Sequence, residues 1–316
     1  MVQIPKVIAK VFDTFPLRVY DMEPSSVTDA ANRFHFKSET QVNNGNSFTI
    51  GVHNVIELNI GNQSILIPSD PVSFGHSLIL CYKNNLRLPS TKQDQNSSAS
   101  SIMAMSFNAS PDLQLPILIE DLKESRSIKT YPAIRKSIEL NNIKNNTEHY
   151  LLNEMIDQQL YDLWILCLLT EEITEDTLLS IFKVDKELKA VEAISRLEAI
   201  NIFSLIPKWN SFKIRHPTLF VNRSLKLDRW TISEETNRHA MEILYDRNLK
   251  LFKRDFGSLI AYSKNASEDF KVVELKIIGF VVIIDTLLRD TKLGNILSTY
   301  QNYVDYCYKV LEDEFC

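Results

Sequence analysis

The chain has 316 residues, of which 44% are hydrophobic and 24% are charged. This composition is typical of a globular protein and excludes a disordered one, and the length exceeds the about 100 to 150 residues of one average domain, so we expect two domains. The formal net charge of −5 argues against a nucleic-acid binder, which needs an excess of lysine and arginine to displace phosphate counterions.

The N-terminal segment gives no sign of secretion. Lys6 and Lys10 interrupt any apolar run within residues 1–20, so no secretory signal is expected there. The four cysteines form no Cys-x-x-Cys pair and have no histidine cluster with zinc-ligand spacing nearby; they are Cys81, Cys167, Cys307 and Cys316. We therefore predict a soluble, non-secreted protein whose cysteines are reduced structural thiols.

Residues 1–32 are predicted to be irregular because three prolines oppose a continuous helix. A β-hairpin is predicted from about Arg33 to Leu58. Apolar and polar residues alternate in both arms, and the sequence between them, Asn43-Asn44-Gly45-Asn46, favours the left-handed backbone of a tight turn.

The next predicted element is a helix that begins at Ser69-Asp70-Pro71. Asp70 provides an oxygen-bearing cap and Pro71 suits the first helical position, where its missing N–H is not needed. The apolar run Leu78–Tyr82 belongs to this helix, which is expected to stop before Pro89.

Short strands and one helix are predicted next. The strand candidates are Ile102–Phe107, Leu115–Ile119 and Ser127–Thr130, and Pro116 in the second of them indicates a sheet edge, a bulge or a cis peptide bond. Pro132 is expected to open a helix that runs to Leu140.

After the polar break at Asn141–Asn146, the apolar period changes from about two residues to about 3.6 residues, as in helices. Helices are predicted near 148–170, 173–182, 185–203, 233–254, 268–289 and 293–315. The most apolar stretch, Val272–Leu288, contains Glu274, Lys276 and Asp285, so it is predicted to be a buried core helix and not a membrane span.

Motifs of the common enzyme classes are not found. The chain has seven glycines, and none belongs to a Gly-x-Gly-x-x-Gly or Walker phosphate-binding loop. Neither His-Glu-x-x-His nor Gly-x-Ser-x-Gly occurs. We therefore predict a non-catalytic protein with no cofactor and no catalytic or metal-ligating residues.

The segment Leu205–Trp230 differs in charge from the rest of the chain. It contains six basic residues and one acid, Asp228, so its charge is +5 in a chain whose total is −5. Aromatic residues are interleaved with these charges, a combination suited to anionic lipid headgroups or to an acidic protein patch. The candidate contact residues are Lys208, Trp209, Lys213, Arg215 and Arg223. The alternative is a solvated loop whose aromatic side chains pack inward.

Several strings, in this order and spacing, resemble the metaxin-like subunits of the mitochondrial sorting and assembly machinery, in particular the fungal thirty-five-kilodalton type. They are Val11–Leu17 with Tyr20, Gly51–Val55, Leu80–Leu86 with Leu88-Pro89, Leu115–Leu118, Leu160–Asp162 with Trp164, Phe212 with Arg215-His216, and Tyr300, Tyr303 and Tyr306-Cys307.

The resemblance implies an α/β plus all-α, glutathione-transferase-like fold. The expected domains are an irregular segment at 1–32, a thioredoxin-like domain with the appended hairpin at 33–144, and an all-helical domain at 145–316. It also implies a peripheral subunit on the cytosolic face of the mitochondrial outer membrane. Its expected partners are the barrel-forming subunit, the other metaxin-like subunit and β-barrel precursors, whose terminal β-signal it helps to recognise.

The resemblance also assigns structural positions. Asp70-Pro71 corresponds to the start of the first helix of the thioredoxin-like half, and Pro116 to its cis-proline. Active transferases place a thiol-activating residue near that helix start, where Ser69 is the adjacent hydroxyl, and an acidic residue before a serine where this chain has Thr130-Tyr131.

Three functional hypotheses follow. The first is the non-catalytic assembly subunit, the second a glutathione-dependent transferase-like enzyme acting through Ser69 or another hydroxyl that the sequence does not identify, and the third a structural spacer that never contacts the precursor. Under the first, the hairpin is the candidate receptor for a β-signal, because an exposed sheet edge binds extended peptides. The residues proposed to read the β-signal are Thr49, Ile50, Gly51, Val52 and His53. A hairpin that only shields the sheet is the alternative.

Overall fold

A computed structural model describes residues 32–38, 46–91, 97–106, 109–123, 125–140, 146–182, 206–220, 232–264 and 270–316. Contacts divide the chain into Met1–Arg33 and a compact unit Phe34–Cys316. Three predictions fall on residues outside the described ones: positions 1–31 of the irregular segment predicted at 1–32, positions 43–45 of the turn predicted at 43–46, and the helix at 185–203. The domain boundary at 144/145 remains a prediction.

The N-terminal region contains a mixed sheet of six strands. The strands in chain order are β1 (Arg33–Ser38), β2 (Ser47–Val52), β5 (Leu86–Arg87), β6 (Ser97–Ala104), β7 (Ile117–Leu122) and β8 (Ser125–Lys129). Their spatial order is β5-β1-β6-β2-β7-β8. The central strand β2 runs parallel to β6, with Ile50 opposite Ile102, and antiparallel to β7, with Ile50 opposite Leu118.

The predicted hairpin from Arg33 to Leu58 is wrong. In the sheet, β6 lies between β1 and β2, and residues beyond Val52 leave the sheet. They form a different hairpin, in which β3 (Val55–Ile60) pairs antiparallel with β4 (Gln63–Pro68). The turn between them is Gly61-Asn62, and Gly61 has the positive φ of 55° that a two-residue turn of this kind requires. Gly-Asn between two alternating runs is itself a hairpin signal, but the Asn-rich segment 43–46 is the stronger turn pattern.

The predicted helix after Ser69 is confirmed as α1 (Pro71–Asn84), with Asp70 as its N-cap. The Asp70 Oδ1 accepts a hydrogen bond of 2.8 Å from the Ser73 N–H. The helix ends at Asn85, which has a left-handed backbone conformation.

The strands predicted after α1 are also present. The Leu115–Pro116 peptide bond is cis and stands directly before β7. After β8, helix α2 (Tyr131–Ile134) continues into a π-helical turn, Arg135–Leu140, as the proline at position 132 predicted.

The C-terminal region is helical. Its helices are α3 (Thr147–Met155), continued by a π-helical turn (Ile156–Leu160) into α4 (Tyr161–Thr170), then α5 (Glu175–Ile181), α6 (Phe212–Arg215), α7 (Ile232–Lys264), α8 (Lys271–Leu287), α9 (Lys292–Leu297) and α10 (Gln301–Phe315). The prediction of a mixed β and α region followed by a helical region is thus confirmed.

The sheet region and the helical region meet where α1 packs on α8. Residues 272–284 of α8 are all buried, which confirms the predicted core helix. The two backbones approach closely at Gly75 and Gly279: a Cβ added to Gly279 would lie 2.8 Å from the Gly75 nitrogen. Two glycines at one contact let the helices pack with almost no side chain between them.

Candidate functional site

The end of the central strand β2 faces a cluster of aromatic side chains from the helical region. His53 follows β2, is buried, and packs on Phe182 and Trp209 with ring centroids 5.4 and 4.7 Å away. Trp209 also stacks on Trp164 at 4.7 Å. Burial lowers the pKa of His53 to about 3, so the ring is neutral and acts as a packing group at physiological pH.

The hydroxyl expected to matter in an active transferase is occupied. The Ser69 Oγ is fully buried and donates a 2.7 Å hydrogen bond to the Ile181 carbonyl at the end of α5. The neighbouring Asn54 amide donates to the Ser180 carbonyl in the same way. These two bonds fix the end of α5 against the start of α1, so Ser69 serves as an anchor and not as an accessible thiol-activating group.

The residues predicted to read a β-signal lie in the interior of the sheet. Thr49, Ile50, Gly51 and Val52 belong to β2, which has β6 on one side and β7 on the other. Thr49, Ile50, Val52 and His53 are at most 4% exposed, and Gly51 is also buried. The hypothesis that these residues bind a β-signal requires a strand with an open edge. Because β2 is paired on both edges, the structure contradicts this requirement.

The aromatic residues of the basic segment point inward. Trp209, Phe212 and Phe220 are all buried. Trp209 therefore presents no ring to a partner or membrane, and the alternative of inward-packed aromatic side chains is correct for these three residues. The sequence pattern could not distinguish the two because both require aromatic residues between charges.

Arg215, which is partly buried, also has a structural role. Its guanidinium pairs with the buried Asp162 carboxylate of α4 and donates to the Asn210 carbonyl. The His216 ring lies 2.9 Å from the other Asp162 oxygen. One carboxylate thus receives both side chains of the Arg-His pair and holds the segment on α4.

Two neighbouring side chains of this segment face solvent. Lys213 is exposed, with its ammonium 5.9 Å from the Phe220 ring. Ile214 is 79% exposed, although sequence reasoning did not single it out. The side chain of Lys208 and the whole of Arg223 lie outside the described residues.

A buried cluster of charged and polar groups joins the two regions, and sequence reasoning missed it. The fully buried Lys276 ammonium of α8 lies 2.9 Å from Glu139, 2.8 Å from Asn153 and 2.6 Å from Asp157. Arg135 adds a second cation, 2.8 Å from Asp157.

The pKa values of the two carboxyl groups in this cluster depend on their burial and on the charged groups beside them. Burial disfavours the charged form of Glu139, but Lys276 and the His76 ring, 2.7 Å away, hold the pKa of Glu139 well below its usual range. Burial and the neighbouring Glu139 raise the pKa of Asp157. The cluster is compensated in charge, which is the condition under which a buried ion is tolerated.

A cavity of about 190 Å³ lies between α4 and α7. The Asp162-His216 pair is at one wall, and Leu244, Asn248 and Phe252 of α7 form another. The volume is smaller than the about 300 to 1,000 Å³ of ordinary ligand pockets. The pair in its lining is already engaged, Asp162 with Arg215 and His216 with Asp162. A cavity of this size is too small for glutathione.

Two comparisons relate part of this chain to known proteins. A family model described as SAM35, subunit of the SAM complex, matches residues 2–120. The Sorting assembly machinery 35 kDa subunit of Saccharomyces cerevisiae is 31% identical over 175 residues, covering 51% of this chain and 52% of the yeast protein.

Over these residues the chain is similar to the SAM35 family. The predicted resemblance is thereby confirmed, although the chain spans about half the length of the curated relative that it matches. The family match covers the sheet region as far as residue 120, within β7, and includes Ser69, Asp70 and Pro116. The basic segment and α8 lie beyond it.

Among the residues that the structure describes, none of the helices of this chain is long and apolar enough to cross a membrane. The buried core helix α8 has 17 residues and contains Lys276.

Proposed function

We propose that this chain is a non-catalytic, peripheral subunit of the mitochondrial sorting and assembly machinery. In this role it binds the barrel-forming subunit and the other metaxin-like subunit on the cytosolic face of the outer membrane, and it helps to recognise the β-signal of β-barrel precursors for insertion. The observation that carries the proposal is the match to the SAM35 family over residues 2–120.

The non-catalytic part of the proposal is supported by the region where an active transferase would bind glutathione. Ser69 is buried and bonded to the Ile181 carbonyl, and the aromatic cluster of His53, Phe182 and Trp209 fills the space beyond the end of β2. Thr130, at the start of α2, replaces the carboxylate expected for a γ-glutamyl group. Access to this region would require α5 to move away from α1.

The fold proposed with this function is glutathione-transferase-like. The strand order β6-β2-β7-β8, with β2 and β6 parallel and β7 and β8 antiparallel to their neighbours, supports a thioredoxin-like half. The cis bond before β7 supports the same arrangement. In this view β1, β5 and the β3–β4 hairpin are additions to that half.

The proposed partner-binding surface contains fewer residues than the sequence indicated. Because Trp209 and Arg215 have structural roles, the described candidates on the basic segment are Lys213 and its neighbour Ile214, one cationic and one apolar, both exposed. Lys208 and Arg223 remain proposals for the same surface.

The test is purification of the tagged chain from mitochondrial outer membranes in mild detergent. Co-purification of the barrel-forming subunit and the second metaxin-like subunit in fixed proportion is expected. A variant with Lys213→Glu should assemble less well at moderate salt, since rim charges act mainly through long-range attraction. Lys250→Glu, which reverses an exposed lysine on α7, is the matched control. Recovery of the chain without either subunit would overturn the proposed function.

A further inference from the structure

The six-stranded sheet has two edges, and the structure treats them differently. The β5 edge is covered by the C-terminus of the chain: the Leu88 N–H donates to the Phe315 carbonyl at 2.9 Å, and Arg87 donates to the Cys316 carbonyl at 2.7 Å. The opposite edge is β8, and β7 is the segment paired with it in the part of the chain that the structure describes. One row of β8 backbone groups therefore faces away from the sheet.

The edge strand also exposes apolar surface. Ile128 of β8 is 56% exposed and lies opposite Ile119 of β7. Leu122, at the end of β7, is 46% exposed. The other strand with an edge outside a described ladder, β3, differs in this respect, because its Leu58 and Ile60 are buried.

The basic residues of β8 are not free charges that would block the approach of another strand. Proteins commonly block exposed edges with unpaired lysine or arginine that must be desolvated when a second strand approaches. Here Arg126 pairs with Asp121 at 2.5 Å, and Lys129 pairs with Glu120 at 2.7 Å, both across to β7. Each cation is compensated within the sheet, so an uncharged strand could align along β8 without facing net charge.

We propose that the outer edge of β8 is a strand-addition site for an extended segment with alternating apolar and polar side chains. Backbone groups of β8 would form the hydrogen-bond ladder, and Ile128 would contact an apolar side chain of the added strand, as in other recognition by strand addition. The identity of the occupant rests on the proposed function: transmembrane strands of β-barrel precursors have this alternation.

The binding experiment uses the full chain and a fluorescent peptide of alternating valine and threonine, with a peptide of the same length in which prolines interrupt the alternation as the negative probe. Proline is introduced singly at Arg126, Ser127 and Ile128. Because alternate residues of an antiparallel strand bond to opposite sides, Arg126→Pro and Ile128→Pro form one set and Ser127→Pro the other. Proline at positions whose N–H groups bond to β7 should lower the melting temperature, whereas proline at positions whose N–H groups face outward should leave it unchanged.

In the set that keeps the parent melting temperature, peptide affinity should fall by about tenfold, equivalent to about 1.4 kcal/mol. Ile128→Lys provides a second variant that does not depend on proline, and Ile243→Lys is its matched control because it also replaces an exposed isoleucine, on α7, with lysine. We expect weaker peptide binding in Ile128→Lys alone. Equal binding by Ile128→Lys and the parent, or photo-crosslinking of the peptide to β3, would overturn the proposal.

Two further measurements distinguish failure of the β8 proposal from dimer formation and from failure of the proposed function. Size-exclusion chromatography detects whether a second copy of this chain binds at the β8 edge. If the parent is a dimer and Ile128→Lys is a monomer, the occupant of the edge is a second copy of this chain and not the proposed strand. Co-purification of Ile128→Lys with the barrel-forming subunit is measured in parallel. Normal assembly with unchanged peptide binding would reject the β8 site alone, whereas absence of assembly by the parent would reject the proposed function.

Discussion

At the scale of single residues, Asp70 combines a helix cap with a buried carboxylate. Its Oδ1 accepts the Ser73 N–H, while its buried Oδ2 has no hydrogen-bond partner in the described part of the chain. Burial raises the pKa of Asp70 to about 6, against the opposing effect of the bonds from Ser73. The carboxylate therefore stabilises α1 locally but is costly in its ionised form.

Replacing Asp70 with asparagine tests this balance. Since the pKa of Asp70 is higher in the folded than in the unfolded chain, the folded state binds the extra proton, and the parent should lose stability as pH rises from about 4 to about 6. A shift of this size corresponds to about 3 kcal/mol. The asparagine side chain can still cap the helix, so Asp70→Asn should lack this part of the pH dependence.

The measurement is urea unfolding of parent and variant at pH values from 4 to 7. The informative quantity is the difference in unfolding free energy between the two proteins, because other groups titrate in both. A constant difference across this range would contradict the assigned pKa of Asp70. Asp70→Ala is the control for the cap, and should be less stable than Asp70→Asn at every pH.

The sequence predicted residue roles well where local chemistry decides them. Asp70 and Pro71 were identified as a helix start because capping needs an oxygen and a proline within a few residues. Arg215 and Trp209 were misassigned because their partners, Asp162 and His53, are far away in sequence. Charge and aromatic content in one segment do not show which side chains find a buried partner.

At the scale of elements, the contact between α1 and α8 depends on two glycines. A Cβ on Gly279 would lie 2.8 Å from the Gly75 nitrogen and 3.0 Å from its Cα, both backbone atoms that cannot move separately. The helices must therefore separate to admit a methyl group. Since α8 is buried along nearly its whole length, such a shift would disturb the core on both sides.

We expect Gly279→Ala to lower the unfolding free energy by about 1 to 3 kcal/mol, as overpacking does in other cores. Gly257→Ala is the matched control, because Gly257 is also within a helix but a Cβ there meets its nearest neighbour at 3.7 Å. That variant should be as stable as the parent or more stable by about 0.5 to 1 kcal/mol, owing to helix propensity. Equal effects of the two substitutions in chemical denaturation would refute the close contact.

Most elements were predictable from period and caps, but their pairing was not. The helices α1 and α8 and the strand β7 were each expected from short-range patterns. The false hairpin arose because β1 and β2 both alternate and the sequence between them contains Asn44-Gly45, which is the usual signal for direct pairing. The structure instead inserts β6, from later in the chain, between them, and such long-range pairing leaves no local trace.

At the scale of the whole molecule, the buried cluster links the two predicted domains. Arg135 and Glu139 come from the sheet side of the predicted boundary at 144/145, whereas Asn153, Asp157 and Lys276 come from the helical side. The Lys276 ammonium also lies 5.5 Å from the Tyr161 ring. Separating the two sides would leave several charges without partners, so residues 34–316 should unfold as one cooperative unit.

Lys276→Met tests this coupling. Removing the ammonium leaves Glu139 and Asp157 buried with less compensation, and breaking a buried pair in this way costs about 3 to 5 kcal/mol. We expect hydrogen-exchange protection of the β2 amides and of the α8 amides to fall by similar amounts, since both belong to one unit. Lys292→Met is the control: its ion pair with Asp246 is largely exposed, and such pairs contribute about 0 to 1 kcal/mol.

Neutralising the carboxylates separates charge from shape. The triple variant Lys276→Met, Glu139→Gln and Asp157→Asn should recover part of the stability lost in Lys276→Met, because the uncompensated charge is removed while the side-chain volumes are nearly kept. If α8 alone loses protection in Lys276→Met while β2 keeps it, the two predicted domains unfold independently, and the cluster only stabilises the helical region. If β2 and α8 lose protection together, the two regions unfold as one unit. The ions of the cluster then help to fix the position of α1 and α8, which Gly75 and Gly279 allow to approach closely.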